Sequence, residues 1–425
     1  MDYESTWLIL ETYHKSFHYL WKFPLYFDLK SKRISTLTRS KLNYKIWSAF
    51  IGFSMCLVFS GSLACLLWFN FVPDAMLNND LTTVEIVIIL FVLIAGFFGF
   101  CMFLWTCIYL EDEATNYNQF RVNYEILFAQ GAQKPKRSHP KVKTGRGRLL
   151  TLLMQSVMIY YSIMPWILYP LFLYLGVDSP YIFYKFIISA TQHKTNFSIK
   201  LTIFMTRSFY LFTCIFEGYR MFAFYIVYVA VHCIGNSTVF AKLHTLLTNV
   251  QNDDFSEIDT ICQYFNRFRI ISKHSEIQHM NFTCFGYFTT ICVGILCNFV
   301  TIKMYHSFNV MFYLVFATLS VLVLVALPNL TQLSIDSNQS SELVIEKLKE
   351  KWLRTYETSA GGGRNGGGGH KAKILKKRIK SLFTFKISLG MKSLTFTDIT
   401  MGTKSVIFSS IIDFSISALL SIPVE

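Results

Sequence analysis

Long apolar runs separated by short polar loops set the pattern of this 425-residue chain. A membrane-crossing helix needs about 20 mainly apolar residues. Seven runs meet that length: 46–70, 83–110, 149–175, 208–232, 281–303, 308–334 and 401–421. The seventh, MGTKSVIFSSIIDFSISALLS, is interrupted by serines, a lysine and an aspartate. Outside the runs, the arm 1–45 carries Trp7, Leu8, Leu10, Phe17, Leu20 and Trp21 at helical spacing, which predicts an amphipathic helix along the membrane or against the bundle. SELVIEKLKEKWLRTY at 341–356 places Val344, Ile345, Leu348, Trp352 and Tyr356 on one face, an extension beyond the sixth span. A glycine-rich linker at 360–370 follows, and residues 374–383 predict another helix leading towards the seventh span.

Composition sharpens this picture. Hydrophobic residues make up 52% of the chain and charged residues only 16%, below the usual quarter. The charge is crowded into the loops, as a bilayer demands, because backbone polar groups in hydrocarbon must be bonded within their own helix. The chain starts MDYESTWLILE, acidic where a signal peptide is basic. The first span is therefore expected to act as its own insertion signal. With the N-terminus inside, the inner segments 1–45, 111–148, 233–280 and 335–400 hold 33 of the 40 Lys and Arg, and the outer segments hold 5. Only Arg220 and Lys404 remain, both within spans. The positive-inside rule then predicts an all-α membrane protein: a seven-transmembrane-helix bundle with its N-terminus cytoplasmic and its C-terminus extracellular.

The same bias accounts for the net charge of +14, including the stretch KPKRSHPKVKTGRGR before the third span. The lipid bilayer is the expected partner, and no nucleic acid is. Of ten cysteines none falls in a predicted outer loop and no CxxC occurs, so buried free thiols are expected. Sequon-like triplets occur at Asn196, Asn236, Asn281, Asn329 and Asn338, and only Asn196 falls in an outer loop. No HExxH, GxSxG, metal-spaced histidine cluster or phosphate-binding glycine loop is present. The chain is read as a non-enzyme without a cofactor. His232 reads as a hydrogen-bonded bundle residue.

Three features carry candidate function. On a helical wheel of the seventh span, Ser409, Ser410, Asp413, Ser417 and Ser421 share a face with Gly402, Thr403 and Val406, while Ile407, Phe408, Ile411 and Ile412 lie off it. A polar stripe with one carboxylate must face protein or water. It serves either a helix packed through small residues or a pore ringed by Asp413 from several subunits. Lys404 can snorkel to the interface. In the fourth span Glu217 and Arg220, three residues apart, predict a local ion pair, with a ligand contact as the alternative. Aromatic residues crowd the outer halves of three spans, among them Trp166, Tyr169, Phe209, Tyr210, Phe212, Phe312, Tyr313 and Phe316. Interfacial belts and core packing account for such residues, and so does the lining of a pocket for a small organic molecule.

A G-protein-coupled receptor also has seven spans, but with its N-terminus outside. No Asp-Arg-Tyr follows the third span here, and Pro328-Asn329 is not an Asn-Pro-x-x-Tyr. The layout instead resembles the arthropod chemoreceptor superfamily of gustatory and odorant receptors. The likeness is strongest where KKRIKSLFTFKISLG, with Gly390, leads into the polar last span. SSIIDFSISALL lacks the Thr-Tyr and Gln-Phe pairs that gustatory receptors often carry there, so the resemblance is to a divergent member. It implies a ligand-gated, cation-conducting tetramer, homomeric or mixed with related subunits, in the plasma membrane. Its pore would be lined by Val406, Ser409, Ser410, Asp413 and Ser417. The organisation expected is a cytoplasmic arm (1–45), a six-helix bundle with the ligand pocket among the outer aromatics (46–334), a cytoplasmic anchor (335–400) and the pore helix (401–425). A receptor without its own pore, signalling through a G protein, is the alternative. A transporter lacks the internal repeat it would need.

Overall fold

The computed structural model describes residues 3–28, 30–71, 82–132, 145–176, 178, 180–182, 184–185, 196–250, 255–361, 367–391 and 394–422. In chain order the elements are α1 (Tyr3–Ser16), β1 (Leu25–Asp28), β2 (Arg33–Thr36), α2 (Leu42–Phe71), α3 (Thr83–Ala132), α4 (Gly145–Leu175) and α5 (Phe197–Asn249). There follow α6 (Phe255–His274), α7 (Glu276–Lys303), α8 (Val310–Gly361), α9 (Gly367–Lys380), β3 (Ser388–Met391), β4 (Leu394–Asp398) and α10 (Met401–Ser421). Among the described residues seven helices are long and apolar enough to cross a membrane: α2, α3, α4, α5, α7, α8 and α10. They coincide with the seven predicted runs. Most of the basic stretch before α4, the middle of the glycine-rich linker and Pro423–Glu425 lie outside the described residues.

Three helices overshoot their apolar runs. α3, α5 and α8 have 50, 53 and 52 residues, about 75–80 Å at 1.5 Å per residue, against a hydrocarbon core of roughly 30 Å. The run ends predicted at 110, 232 and 334 mark where the apolar composition stops, and the helices continue past them. The 341–356 segment is thus one helix with the sixth span. Residues 367–370 of the glycine-rich linker are helical too, because α9 begins there and docks Ala372, Leu375 and Ile379.

Three elements go beyond the predicted set. α6 fills the segment before α7, burying Ile258, Ile261, Phe265 and Phe268. The hairpin β1–β2 buries Leu25, Phe27 and Ile34 and leaves Tyr26 outside, the period-two alternation of a half-buried strand. Asp28 closes its turn by accepting from Lys30 N (3.0 Å) and Ser31 Oγ (2.6 Å). Asn118 of α3 pins the second strand, accepting from Ile34 N (3.1 Å) and donating to Ile34 O (2.8 Å). The hairpin β3–β4 leads into α10. At Gly390 a Cβ would lie 2.1 Å from Leu394 O, so only glycine permits that strand crossing.

α5 forms the centre, packed by α8, α4, α1, α2 and α3. Of its apolar window 72% is buried, against 17% for α10. The predicted amphipathic arm helix lies on α4 and α5 with Trp7, Leu10 and Phe17 buried, while Leu8 and Trp21 stay outside. Glu217 and Arg220 form the expected ion pair inside α5. Arg220 donates through Nε to Glu217 Oε2 (3.0 Å), through a second nitrogen to Oε1, and through a third to Trp21 O (2.6 Å). Its guanidinium also lies 5.0 Å from the Phe23 ring. A bidentate pair with each guanidinium nitrogen engaged is the form in which buried charge is tolerated. The pair thereby fastens the arm to the bundle. Arg220→Ala, leaving Glu217 bare, is expected to cost about 3–5 kcal/mol, read as a lowered unfolding midpoint of the detergent-solubilised protein.

Candidate functional site

Two regions carry the arrangement: a cavity among six helices, and the uncovered face of α10. The end of the molecule that holds α1, α6 and α9 is its arm side, and the opposite end is its far side.

The cavity has a volume of about 150 Å3 and is walled by α2, α3, α4, α5, α7 and α8. It exists because small residues stand where large ones would meet. Ala95 and Gly96 of α3 face it, and at Gly218 of α5 an added Cβ would touch nothing within 4 Å. Its wall is apolar and aromatic, with Tyr161, Tyr219, Phe222 and Tyr225 around the middle and Phe91 and Phe172 above. The Tyr219 hydroxyl is buried and has no hydrogen-bond partner among the described residues. A buried phenol hydroxyl without a partner is costly unless an incoming group satisfies it.

An ion pair borders the cavity through Asp178. α4 stops at Gly176, whose φ of +64° turns the chain back. Asp178 then lines the cavity and accepts from Arg207 Nε at 2.5 Å, while Arg207 also donates to Phe172 O (2.8 Å) and lies 4.4 Å from the Tyr181 ring. Both charged groups are buried. This clamp ties the segment after α4 to the start of α5.

Of the eight aromatic residues predicted for a pocket, Tyr210 lines the cavity. Phe312 and Phe316 stand one layer behind it, packed on Phe172 (5.4 Å) and Phe91 (5.3 Å), which do line it. Tyr313 donates to Thr301 O (3.4 Å). Trp166, Tyr169 and Phe212 gather around Phe216 on the α4–α5 seam, away from the cavity. Phe209 is exposed beside Phe50. The sequence reading missed Tyr161, Tyr219 and Phe222, and the signal was Gly218, an isolated glycine in an aromatic span. Glu217 and Arg220 do not line the cavity, which leaves them the structural role.

α10 is set by its two ends. Thr400 caps its start: Thr403 N donates to Thr400 Oγ1 and Thr400 N to Thr403 Oγ1, both at 3.3 Å. At its other end Lys303 of α7 donates to Leu419 O (2.6 Å) and Ile422 O, where cations suit a helix terminus. Between them Ile407, Ile411 and Ser415 face α7, and Asn298 links Ser415 Oγ (3.2 Å) to Ser320 Oγ (2.6 Å). At 100° per residue Asp413 stands roughly 160° from both Ile411 and Ser415. Val406, Ser409, Asp413 and Ser417 are all exposed, with Ser410 half-buried. Ser409 and Ser417 return their hydroxyls to Val406 O and Asp413 O. Lys404 bonds Gln332 Oε1 (3.0 Å). The structure thus brings the five predicted pore residues to one side of α10, that side being the one this chain leaves uncovered.

The lead-in to α10 is held from α8. Asn338 accepts from Ile387 N (3.1 Å) and donates to Ile399 O (2.9 Å), so one buried amide grips both flanks of the β3–β4 hairpin. On the hairpin, Asp398 accepts from Lys386 (2.7 Å) and Ser388 (2.7 Å). Partial burial works to raise the Asp398 carboxyl, and these two bonds outweigh it, holding it below its usual value. Its contribution is present above the ordinary Asp range and is lost as pH falls through the lowered value.

All ten cysteines are free. His232 accepts from Asn236 Nδ2 (3.0 Å), the bundle role expected of it. Asn236 and Asn338 are buried, and Asn196 stands at the N-cap position of α5, at its far-side start, without a side-chain cap bond.

A seven-helix membrane bundle with an apolar cavity between its helices and one uncovered amphiphilic helix defines the class. The sequence matches no protein-family model and no curated relative. By structure the chain has the fold of an insect olfactory receptor. It is similar to the olfactory receptor OR5 from Machilis hrabei in complex with eugenol, at a TM-score of 0.56 and 9% identity, over 99% of this chain and 100% of that one. It is similar also to a second structure of the same receptor, at 0.53 and 10%, over 97% and 96%.

Two outcomes are expected from this geometry. Gly218→Leu fills the cavity from a position with open space and abolishes ligand binding, with the thermal midpoint retained, because leucine favours helix over glycine by roughly 0.8 kcal/mol. Lowering pH through the acid range unfastens the β3–β4 hairpin before the bundle melts, measured by hydrogen exchange at Leu394–Asp398. Asp398→Asn shows that exchange already at neutral pH.

Proposed function

We propose that this protein is a multi-pass plasma-membrane chemosensory receptor that is itself a ligand-gated, non-selective cation channel. A single observation carries the reading: Asp413 and its serine neighbours lie on the face of a membrane-spanning helix that this chain leaves uncovered. A carboxylate facing lipid is costly, so that face must meet protein or water. Four copies around an axis, homomeric or with related subunits, meet both demands, with Val406, Ser409, Ser410, Asp413 and Ser417 towards a central pore. Likeness of fold to an insect olfactory receptor supports the same reading.

The charge bias of the loops supports a cytoplasmic arm side, with the N-terminus inside and the C-terminus outside. In this reading 1–45 is the cytoplasmic arm, 46–334 the ligand-binding bundle, 335–400 the anchor between subunits and 401–425 the pore helix. The ligand is a compact, uncharged organic molecule, in the size class of the eugenol bound by the similar receptor. The apolar wall of the 150 Å3 cavity selects against charge, and the Tyr219 hydroxyl supplies one hydrogen bond. Higher affinity for the open arrangement turns binding into gating.

The test is whole-cell current from cells expressing this chain alone, challenged with a tastant and odorant panel while G-protein signalling is blocked. A ligand-evoked cation current is expected to persist. Asp413→Asn is expected to lower the preference for cations over anions roughly fivefold, about 1 kcal/mol of ring attraction. Unchanged selectivity would remove Asp413 from the pore. A response that the block abolishes would replace the channel with a receptor lacking its own pore.

A further inference from the structure

Away from the cavity and α10, one cluster of titratable side chains is absorbed by neither. It sits on the arm side, where α3, α5 and α7 meet. Glu113 stands just past the apolar run of α3, which ends at Leu110, and its side chain is buried. Tyr228 of α5 places its hydroxyl 2.6 Å from Glu113 Oε2 and 3.0 Å from Nδ1 of His279 on α7. The Tyr228 hydroxyl donates to Glu113 Oε2 and faces both ring nitrogens of His279, so the three side chains form one connected chain of bonds. His279 Nε2 lies 3.8 Å from Glu113 Oε2, and the His232 ring stands 4.0 Å from that of His279.

Two voids reach this chain of bonds. A cavity of about 50 Å3 is bordered by Glu113, Asn116, Ser272, Ser275 and His279. Glu113 Oε1 and Asn116 Nδ2 are both buried without a partner among the described residues. An acceptor and a donor left open on a void of that size describe a seat for ordered water. A second cavity, of about 280 Å3, shares Tyr228, His232, Ser272 and His279 with the first. Its rim carries Arg269, Lys273, Glu276 and Lys386, and its roof is the segment 383–388 that runs into β3.

We propose that Glu113, Tyr228 and His279 form a proton-binding site, reached from the arm side through these two voids. Calling that side cytosolic rests on the proposed orientation of the bundle. The charge count requires a bound proton. With both imidazoles neutral, an ionised Glu113 would be a buried charge with no cation against it. The charged and titratable groups facing it are accounted for element by element. On α3, Asp112 is exposed, Tyr117 borders the same void as Glu113, and Arg121 is engaged with the carbonyls of Ser31 and Lys32. On α5 the neighbours are Tyr228 and His232, and on α7 they are Glu276 at the rim and His279. α6 contributes Arg269 and Lys273, also at the rim, and the roof contributes Lys386, held by Asp398. Burial pushes Glu113 up to about 8, against the Tyr228 hydrogen bond, which lowers it, and with Asp112, which raises it. The stability it lends is complete below its ordinary value of 4.5 and is lost as pH rises towards about 8. Phe385 of the roof stands 6.2 Å from the His232 ring, so the cluster borders the segment that runs into β3.

The test reads the proton itself. Infrared difference spectra of the purified full chain, titrated between about pH 6 and about pH 9, follow the carbonyl stretch of protonated carboxyl groups. A band that disappears across this range is expected, absent in Glu113→Gln. Tyr228→Phe keeps the carboxyl and removes the bond that lowers its pKa. It is expected to move the midpoint up by about one unit, tenfold in proton affinity. A wild-type protein without such a band overturns the site. So does a band that Glu113→Gln retains or, should that variant fail to fold, a midpoint that Tyr228→Phe leaves in place. No current enters the measurement, so a protein that proves not to be a channel leaves this test intact.

Discussion

A helix that crosses a bilayer with a carboxylate on its surface must cover that carboxylate with protein or water, and the rest of this molecule is arranged around that demand. α10 is fixed to its own chain along one side only, through Ile407, Ile411 and Ser415. Everything that determines its rotation lies on that side or at its ends: the Asn298 amide, the Lys303 ammonium on its last carbonyls and the Thr400 cap. These polar contacts are directional, whereas apolar packing on lipid or on isoleucine is not. They fix which residues point away, and Asp413 is the result.

The same logic explains why a β-hairpin precedes a membrane helix. A flexible linker would leave the rotation of α10 to chance. Instead Asn338 grips the backbone on both sides of β3–β4, and Gly390 lets the strands approach closely enough for the grip. Asn338 belongs to α8, which spans the molecule and also walls the cavity through Leu319 and Val323. One rigid element therefore touches the cavity, the hairpin and the arm-side extension together.

What the sequence discloses depends on what each element rests on. The seven spans depend on apolar content alone, so a run such as 83–110 declares itself. Where α3 ends does not, because Glu111 to Ala132 is polar enough for a loop and is helical only through packing with α6 and β2. The hairpin β1–β2 rests on four-residue strands, too short for an alternation to stand out. The stripe on α10 was legible, since a wheel needs only the helix period. The cavity was less so. Trp166, Tyr169 and Phe212 are as aromatic as Tyr161, Tyr219 and Phe222, and composition cannot separate a seam from a wall. The distinction lies in Gly218 and in the Asp178–Arg207 clamp 29 residues apart in sequence, which only the fold brings together.

α7 joins the two parts of the proposed receptor. Thr290 and Val293 face the cavity, and one residue on, Gly294 lies beneath Ile411 of α10, where an added Cβ would stand 3.9 Å from the isoleucine. A further turn along, Asn298 holds Ser415, and at the end Lys303 holds the last carbonyls. A ligand that displaces the cavity wall at Val293 therefore pushes on the same helix that sets the rotation of α10. Close-packed interiors pass such displacements on instead of absorbing them, because few voids are left to take them up. The bare backbone at Gly294 leaves room for Val323 of α8 beside α7, at the level where Ile411 of α10 also packs. A side chain there would press first on Val323 of α8, 3.1 Å from an added Cβ and itself on the cavity wall, so the wall and the α7–α10 seam are packed as one unit.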